Sequence, residues 1–267
     1  MGDWETGGLG DWEFQTPFTI HQPPFTSHHS PFTSHHSPTT IMHLLIPAAG
    51  MGKRMGSSRN KLLITLLDKP LLEWTLLAAA QAGSIEWIGI IGQPEDRADL
   101  EIIIGNISLA KPVQFIQGGS TRQESVYQGL QGLPAGAERV LIHDGARCLA
   151  TPDLFDRCAN ILETCPGLIA AITVKDTIKV VDSTGIVTDT PDRSNLWAAQ
   201  TPQGFEVKLL KACHEQGRQL GWEVTDDAAL FEKCNLPVTI VPGEETNLKI
   251  TTPVDLAIAE FILRSRS

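Results

Sequence analysis

From residue 42 to the C-terminus, apolar runs of strand length alternate with stretches of helical pattern, and this alternation admits few folds. It predicts a mostly parallel sheet covered by helices on both faces. Residues 43–46, 85–91, 113–116 and 140–142 read as buried strands. A helix is predicted over 70–82, with Pro70 at its start and Gly83 just past its end, and further helices around 95–104 and 122–132. The succession is that of a doubly wound, Rossmann-like α/β sheet. Between 173 and 190 the pattern changes to two β-rich stretches, 177–181 and 186–188, joined at Ser183-Thr-Gly185, which predicts a hairpin inserted into the α/β body. Helices return at 207–219, 226–233 and 254–264, with strands near 238–241 and 248–251.

Residues 1–41 are of another kind, rich in Pro, Ser, Thr, His and Phe, with Pro24-Phe-Thr-Ser-His-His-Ser30 repeated at once as Pro31-Phe-Thr-Ser-His-His-Ser37. Such a segment cannot build a packed core, and a disordered tail is expected. His28, His29, His35 and His36 recur at a spacing of seven, but nothing orders the chain around a metal. The segment has no Lys or Arg and carries Asp3, Glu5, Asp11 and Glu13, unlike a basic transit peptide. The functional protein is therefore expected to begin near Met42. The remaining 42–267 form one domain, with a β-arm at about 173–200.

A formal net charge of −10 argues against a nucleic-acid surface, which draws on clustered Lys and Arg, although a local cationic pocket can still take a nucleotide. No apolar run reaches the length of a membrane span. Five cysteines without a C-x-x-C pair suggest neither a disulfide framework nor zinc, and fit a reducing cytoplasm.

The first strand runs into Pro47-Ala-Ala-Gly-Met-Gly-Lys-Arg-Met-Gly56, a loop whose small residues let backbone N–H groups approach an anion. No Gly-Lys-Ser/Thr follows, so it is not a Walker A loop. No acid stands at the end of a second strand to hold a dinucleotide ribose, which argues against an NAD-dependent oxidoreductase. Arg54 and Lys61 converging on this loop suit a triphosphate better than a plain turn does. Asp144, in Leu141-Ile-His-Asp-Gly-Ala-Arg147, falls outside the carboxyl edge of the sheet, where open α/β sheets bind ligands. It is either a hard ligand for Mg²⁺ on phosphates or a loop cap. His143 reads as a satisfied partner of the strand end. Nucleotidyl transfer needs positioning and charge neutralisation more than a base, because the phosphate nucleophile is already ionised.

In order along the chain, PAAGMGKRM with Lys61, Gly118-Gly-Ser-Thr-Arg-Gln-Glu-Ser125, His143-Asp-Gly-Ala-Arg147, Lys175-Asp-Thr-Ile-Lys179, Asp192-Arg193 with Leu196-Trp197, Thr201-Pro-Gln203, Thr225-Asp226-Asp227 and Asn247-Leu-Lys-Ile-Thr251 resemble the motifs of the 2-C-methyl-D-erythritol 4-phosphate cytidylyltransferase family. The likeness covers Met42 to the C-terminus. It implies a nucleotidyltransferase-like fold and transfer of CMP from CTP to 2-C-methyl-D-erythritol 4-phosphate in the non-mevalonate isoprenoid pathway, with release of pyrophosphate. By the same resemblance Arg54 and Lys61 stabilise charge on the α-phosphate, Arg193 and Lys249 hold the sugar phosphate, and Asp144 binds Mg²⁺. Ala48, Ala49, Gly50, Gly118, Arg122 and Ser125 form the nucleotide cradle and Thr177 touches substrate. The family's members dimerise by exchanging their β-arms. Gly145, Cys148, Arg59-Asn60, Ser120 and Thr246 depart from common family residues. Two other readings stand beside this one: ribitol 5-phosphate as acceptor, and a catalytically silent dimeric scaffold that retains nucleotide binding.

Overall fold

The computed structural model describes residues 41–48, 60–107 and 109–266. Strands β1 (Met42–Pro47), β4 (Ile85–Gly92), β5 (Val113–Gln117), β6 (Arg139–Ile142), β7 (Gly167–Thr173), β10 (Trp197–Glu206) and β11 (Thr239–Pro242) form one sheet in the order β11-β7-β10-β6-β1-β4-β5. The pairs β1–β4, β1–β6, β4–β5 and β7–β11 are parallel, and β10 runs antiparallel to both β6 and β7. Two small ribbons stand apart, β2 (Thr65–Leu66) with β3 (Lys69–Pro70) and β8 (Val180–Val181) with β9 (Val187–Asp189).

Side-chain alternation along the central strands divides the core in two. Leu44 and Ile46 of β1, Ile88 and Ile90 of β4 and Leu141 of β6 face α1 (Leu71–Gln81) and α4 (Pro152–Ile161). Leu45, Ile91, Val140 and Ile142 face α3 (Arg122–Gln131), α5 (Val207–Leu220) and α6 (Asp227–Lys233). Both sheet faces are thus covered, which is why the strands read as continuous apolar runs. A third cluster packs Ala259 and Leu263 of α7 (Pro253–Arg266) on Leu66, Leu71 and Leu149. Among the described residues no helix is long and apolar enough to cross a membrane.

The chain winds from β1 outward to β4 and β5, then returns to place β6 on the other side of β1. The carboxyl ends of β1 and β6 therefore open a crevice at the point where the winding reverses.

Several sequence expectations shift. The helix expected around 95–104 is a 3₁₀ turn, Pro94–Asp96, followed by α2, Arg97–Asn106. Residues 248–251 are not a strand. They cross the sheet's carboxyl edge and are held there by Ile250 N–H donating to Ala146 O at 2.9 Å. The inserted hairpin is present but pairs over fewer residues than expected, because a register irregularity interrupts it between Val180 and Val181. Its turn bonds Asp182 N–H to Ile186 O at 2.9 Å, with Gly185 at φ 87° in the left-handed region that glycine enters without strain. Trp197 already pairs with Thr173, so the protruding part ends just before it. The tail expectation lies outside the described residues.

Helix α3 lies close on the sheet because Gly129 faces it. A Cβ at that position would run into Ile91 Cδ1, with Ile91 Cγ1 and Leu45 Cδ1 both at 3.1 Å. A helix-interior glycine costs about 1 kcal/mol against alanine, so close packing is what it supplies. Gly129→Val is expected to push α3 off β4 and lower stability by about 1–3 kcal/mol, read from the urea midpoint. An unchanged midpoint would show that the contact yields.

Candidate active site

The crevice at the ends of β1 and β6 is lined by Pro47, Lys61, Gln93, Arg122, Asp144 and Lys249, with the 119–121 turn on one side and 145–146 below. Asp144 directly follows His143, whose N–H continues the sheet by donating to Leu45 O at 2.9 Å. The Asp144 carboxylate takes Lys249 Nζ on Oδ2 at 2.6 Å and faces Arg122 Nε from Oδ1 at 3.7 Å. Burial pushes this carboxyl up, but the charges of Arg122 and then Lys249 outweigh it and hold Asp144 down at about 2. It is therefore an ionised oxygen donor throughout the neutral range.

Arg122 is the first residue of α3. Its NH1 meets Asp227 Oδ2 at 2.8 Å, and Asp227, fully buried, meets His214 Nε2 at 3.4 Å from its other oxygen. Burial opposes the guanidinium's charge, yet the carboxylates of Asp227 and Asp144 raise Arg122 above its ordinary range. Asp227 opens α6, where Gln203 Oε1 accepts from the N–H groups of Asp227 and Ala228, both at 3.2 Å. The turn before α3 is fixed by its own residues. Thr121 Oγ1 accepts from Glu124 N–H at 3.0 Å, and Glu124 Oε2 accepts from Ser120 N–H at 2.8 Å and from its hydroxyl at 2.7 Å. Ser125 Oγ accepts from Gly119 N–H at 3.1 Å, and Gln93 Nε2 donates to Gly119 O at 2.8 Å. Gly118 N–H is given to Gly92 O at 2.8 Å.

Lys61 begins a 3₁₀ turn, Lys61–Leu63, and Asn60 anchors it. Asn60 Oδ1 accepts from Leu62 N–H at 3.0 Å, while Nδ2 donates to Ala48 O at the end of β1 and to Asp96 Oδ2 at 2.8 Å. Asn60 is thus what ties Lys61 to the sheet edge. Ala48 is buried, with its N–H given to Ile91 O at 2.7 Å, so it offers packing and no N–H to a ligand. Ala49, Gly50 and Arg54 lie outside the described residues.

Structure thus brings Lys61, Arg122, Asp144 and Lys249 together, with Ser125 and Gly118 shaping the adjoining turn. Thr177 and Arg193 do not line the crevice of their own chain. Arg193 stands in a 3₁₀ turn at the base of the arm, capped by Asp192, with NH1 donating to Lys175 O at 2.7 Å. Sequence reasoning gave no role to Asp227, Thr201, Gln203 or Asn60. The first three lie within quoted motifs, and Asp227 carried a further signal, an acid pair at a helix start.

Directly behind Asp144, His143 Nε2 lies 3.1 Å from Arg147 O, a pure acceptor, so Nε2 carries the proton. Nδ1 then accepts from the Thr201 hydroxyl at 3.0 Å, and Thr201 Oγ1 in turn accepts Asp144 N–H at 3.0 Å. The ring is fully buried, and burial pushes it down to about 4. A neutral, doubly bonded imidazole orients the Asp144 backbone and is no base.

Comparison with known proteins supplies a family for this geometry. Residues 42–265 match the model of the 2-C-methyl-D-erythritol 4-phosphate cytidylyltransferase family. A protein of that name from Crocosphaera subtropica is 74% identical over 225 residues, covering 84% of this chain and 99% of that protein. Another, from a Synechocystis species, is 69% identical over 226 residues, covering 85% and 98%. Among solved structures, the 4-diphosphocytidyl-2C-methyl-D-erythritol synthase of Anaerococcus prevotii is similar with TM-score 0.76 and 32% identity, covering 84% of this chain and 99% of that one.

His143 makes stability depend on pH. Its folded pKa, about 4, lies below the ordinary 6.5, so between those values the unfolded chain holds more protons than the folded one. Stability is lost as pH falls through this window, by up to about 3 kcal/mol from this residue. Asp144 acts lower, its contribution fading only as pH falls from 3.8 toward about 2. Urea unfolding at pH 7 and pH 4.5 is expected to show a loss in the wild type that is larger, by about 2 kcal/mol, than in His143→Gln. Equal losses would mean that the ring is protonated in the folded protein.

Proposed function

The chain belongs to the 2-C-methyl-D-erythritol 4-phosphate cytidylyltransferase family, and from that premise we propose how its residues carry the reaction. It transfers CMP from CTP to 2-C-methyl-D-erythritol 4-phosphate, giving 4-diphosphocytidyl-2-C-methyl-D-erythritol and pyrophosphate. The observation that carries the assignment of roles is the ionised Asp144 at the reversal point of the sheet, with Lys249, Arg122 and the Lys61 turn around it.

The acceptor's phosphate, already anionic, attacks the α-phosphate of CTP in line with the departing pyrophosphate, so the residues must position and neutralise charge. Lys61, with Arg54, stabilises the extra negative charge on the α-phosphate in the transition state. Arg122 reaches the nucleotide from the start of α3, where helix N–H groups also favour an anion. Gly118 and Ser125 keep the turn beneath the nucleoside, and Ala48, Ala49 and Gly50 are assigned to the same cradle by the family's motif. Lys249 holds the acceptor phosphate. Asp144 suits Mg²⁺ carried on the nucleotide: it is a hard, ionised oxygen donor, and Mg²⁺ is commonly held by one or two carboxylates plus substrate phosphates. Bound there, the ion would supply charge neutralisation on the phosphates.

Thr177 and Arg193 are proposed to act on a neighbouring subunit. The arm that carries them exposes Ile178, Val180, Val181, Ile186 and Val187, and a two-stranded ribbon is marginal alone. Exchange of arms in a two-fold dimer covers these side chains and delivers Arg193 to the partner's crevice.

Two measurements test these roles. Lys61→Ala is expected to lower kcat for pyrophosphate release on the order of 10²-fold with little change in KM for CTP. A rise in KM at unchanged kcat would make its role ground-state binding. Mixing Lys61→Ala with Arg193→Ala subunits, each inactive alone, is expected to restore roughly a quarter of wild-type activity, since half the dimers are mixed and one of their two sites is intact. No recovery, with subunit exchange confirmed by differently tagged chains, would place Arg193 in its own chain's site.

A further inference from the structure

Lys249 occupies an irregular connection, residues 243–252, with neither helix nor strand to fix it. Its side chain is 42% exposed, yet its ammonium stands 2.6 Å from Asp144 Oδ2. A long, flexible side chain on a loop needs something to hold its backbone if it is to meet a substrate phosphate reproducibly.

Two residues upstream, Asn247 is completely buried. Its Nδ2 donates to Thr201 O at 2.8 Å and to Gln200 Oε1 at 3.2 Å. Its carbonyl accepts from Arg147 NH1 at 2.8 Å, and its own N–H closes a turn onto Glu244 O at 3.0 Å. Gln200 also holds the loop's entry, Nε2 donating to Glu244 O at 2.9 Å. One residue downstream, the buried Ile250 donates its N–H to Ala146 O at 2.9 Å. Every one of these anchors lies on the 144–147 turn, on the irregular part of β10 beside it, or on the loop itself. Thr201, which accepts the Asn247 amide on its carbonyl, also accepts Asp144 N–H on its hydroxyl.

We infer that Asn247 is a positioning residue for the transfer reaction: its buried amide fixes the Lys249 backbone to the same β10 residue that orients Asp144, setting the ammonium and the carboxylate in one frame. This rests on the reading of Lys249 as the holder of the acceptor phosphate. Asn247 touches neither substrate in this arrangement. It acts through Lys249, so its loss weakens the acceptor's half of the reaction and leaves the nucleotide's half largely alone.

The test is a double-mutant cycle on the full chain, with 2-C-methyl-D-erythritol 4-phosphate, CTP and Mg²⁺, followed by pyrophosphate release. Asn247→Ala is expected to lower kcat/KM for the acceptor about 10- to 100-fold, with KM for CTP changed less than about 3-fold. In a Lys249→Ala background the same substitution is expected to cost less than about 3-fold more. Asn247→Ser, which keeps a hydroxyl donor, is to be used where the alanine variant does not fold and is expected to retain part of the activity. Ile103→Ala, a core change on α2 away from the crevice, controls for lost stability and is expected to keep kcat/KM. Equal costs of Asn247→Ala with and without Lys249, or a loss no greater than that of Ile103→Ala, would overturn the inference while leaving the reading of Lys249 intact. Full acceptor turnover in Lys249→Ala alone would remove that reading, and the inference with it.

Discussion

A largely buried carboxylate is pushed toward protonation by its surroundings, and the crevice depends on how Asp144 stays ionised. Without a cation, burial would raise its affinity for a proton. Arg122 and Lys249 prevent that from opposite sides, one from a helix start and one from a loop. Each cation is itself held: Arg122 by Asp227 on α6, and the Lys249 loop by Asn247 and Ile250. Three segments far apart in sequence are thereby clamped on one residue. Removing one partner of such a group leaves a buried charge without compensation, which is more damaging than the net worth of the pair suggests.

The doubly wound centre was legible because its strands are buried on both faces. In β1, β4 and β6 nearly every residue is apolar, and period alone separates the two clusters they feed. Less legible was β10, which carries Pro202 and Gly204 and breaks register between Ala199 and Gln203. Those residues look like a loop in sequence, yet Gly204 is needed there: a Cβ would come within 2.9 Å of Leu141 Cδ2. Helix α4 was missed although Thr151 and Pro152 form an N-terminal signature, with Thr151 Oγ1 accepting from Leu154 N–H at 3.2 Å. Residues 248–251 misled in the other direction. Leu248, Ile250 and Thr251 have strand composition, but Ile250 is buried against Leu149 and Ala259, and its pairing is a single bond to Ala146.

The charged residues that line the crevice stand in turns and loops and follow a recognisable order, so Lys61, Asp144 and Lys249 could be named from sequence. The residues that hold them are neutral or buried, and their partners are distant. Asn60 reaches Asp96, Gln203 reaches Asp226, and Asn247 reaches Thr201. Local pattern carries no record of a hydrogen bond between residues 23 to 46 positions apart. A buried Asn or Gln announces itself only once the fold shows that it lies inside, where its amide must be matched.

Both substrates are polyanions and the chain's net charge is −10, so the protein does not draw them in by its overall field. Beyond a Debye length of about 8 Å at physiological salt, each ion feels little of the protein's charge of either sign. Recognition must therefore be made at contact, by a few cations whose water has been partly removed and whose positions are fixed beforehand. That accounts for Arg122 being gripped by a buried carboxylate. It also accounts for Lys249 standing against Asp144, whose carboxylate keeps the ammonium in place. Fixed local cations on an acidic protein favour small, highly charged phosphates that can enter the crevice.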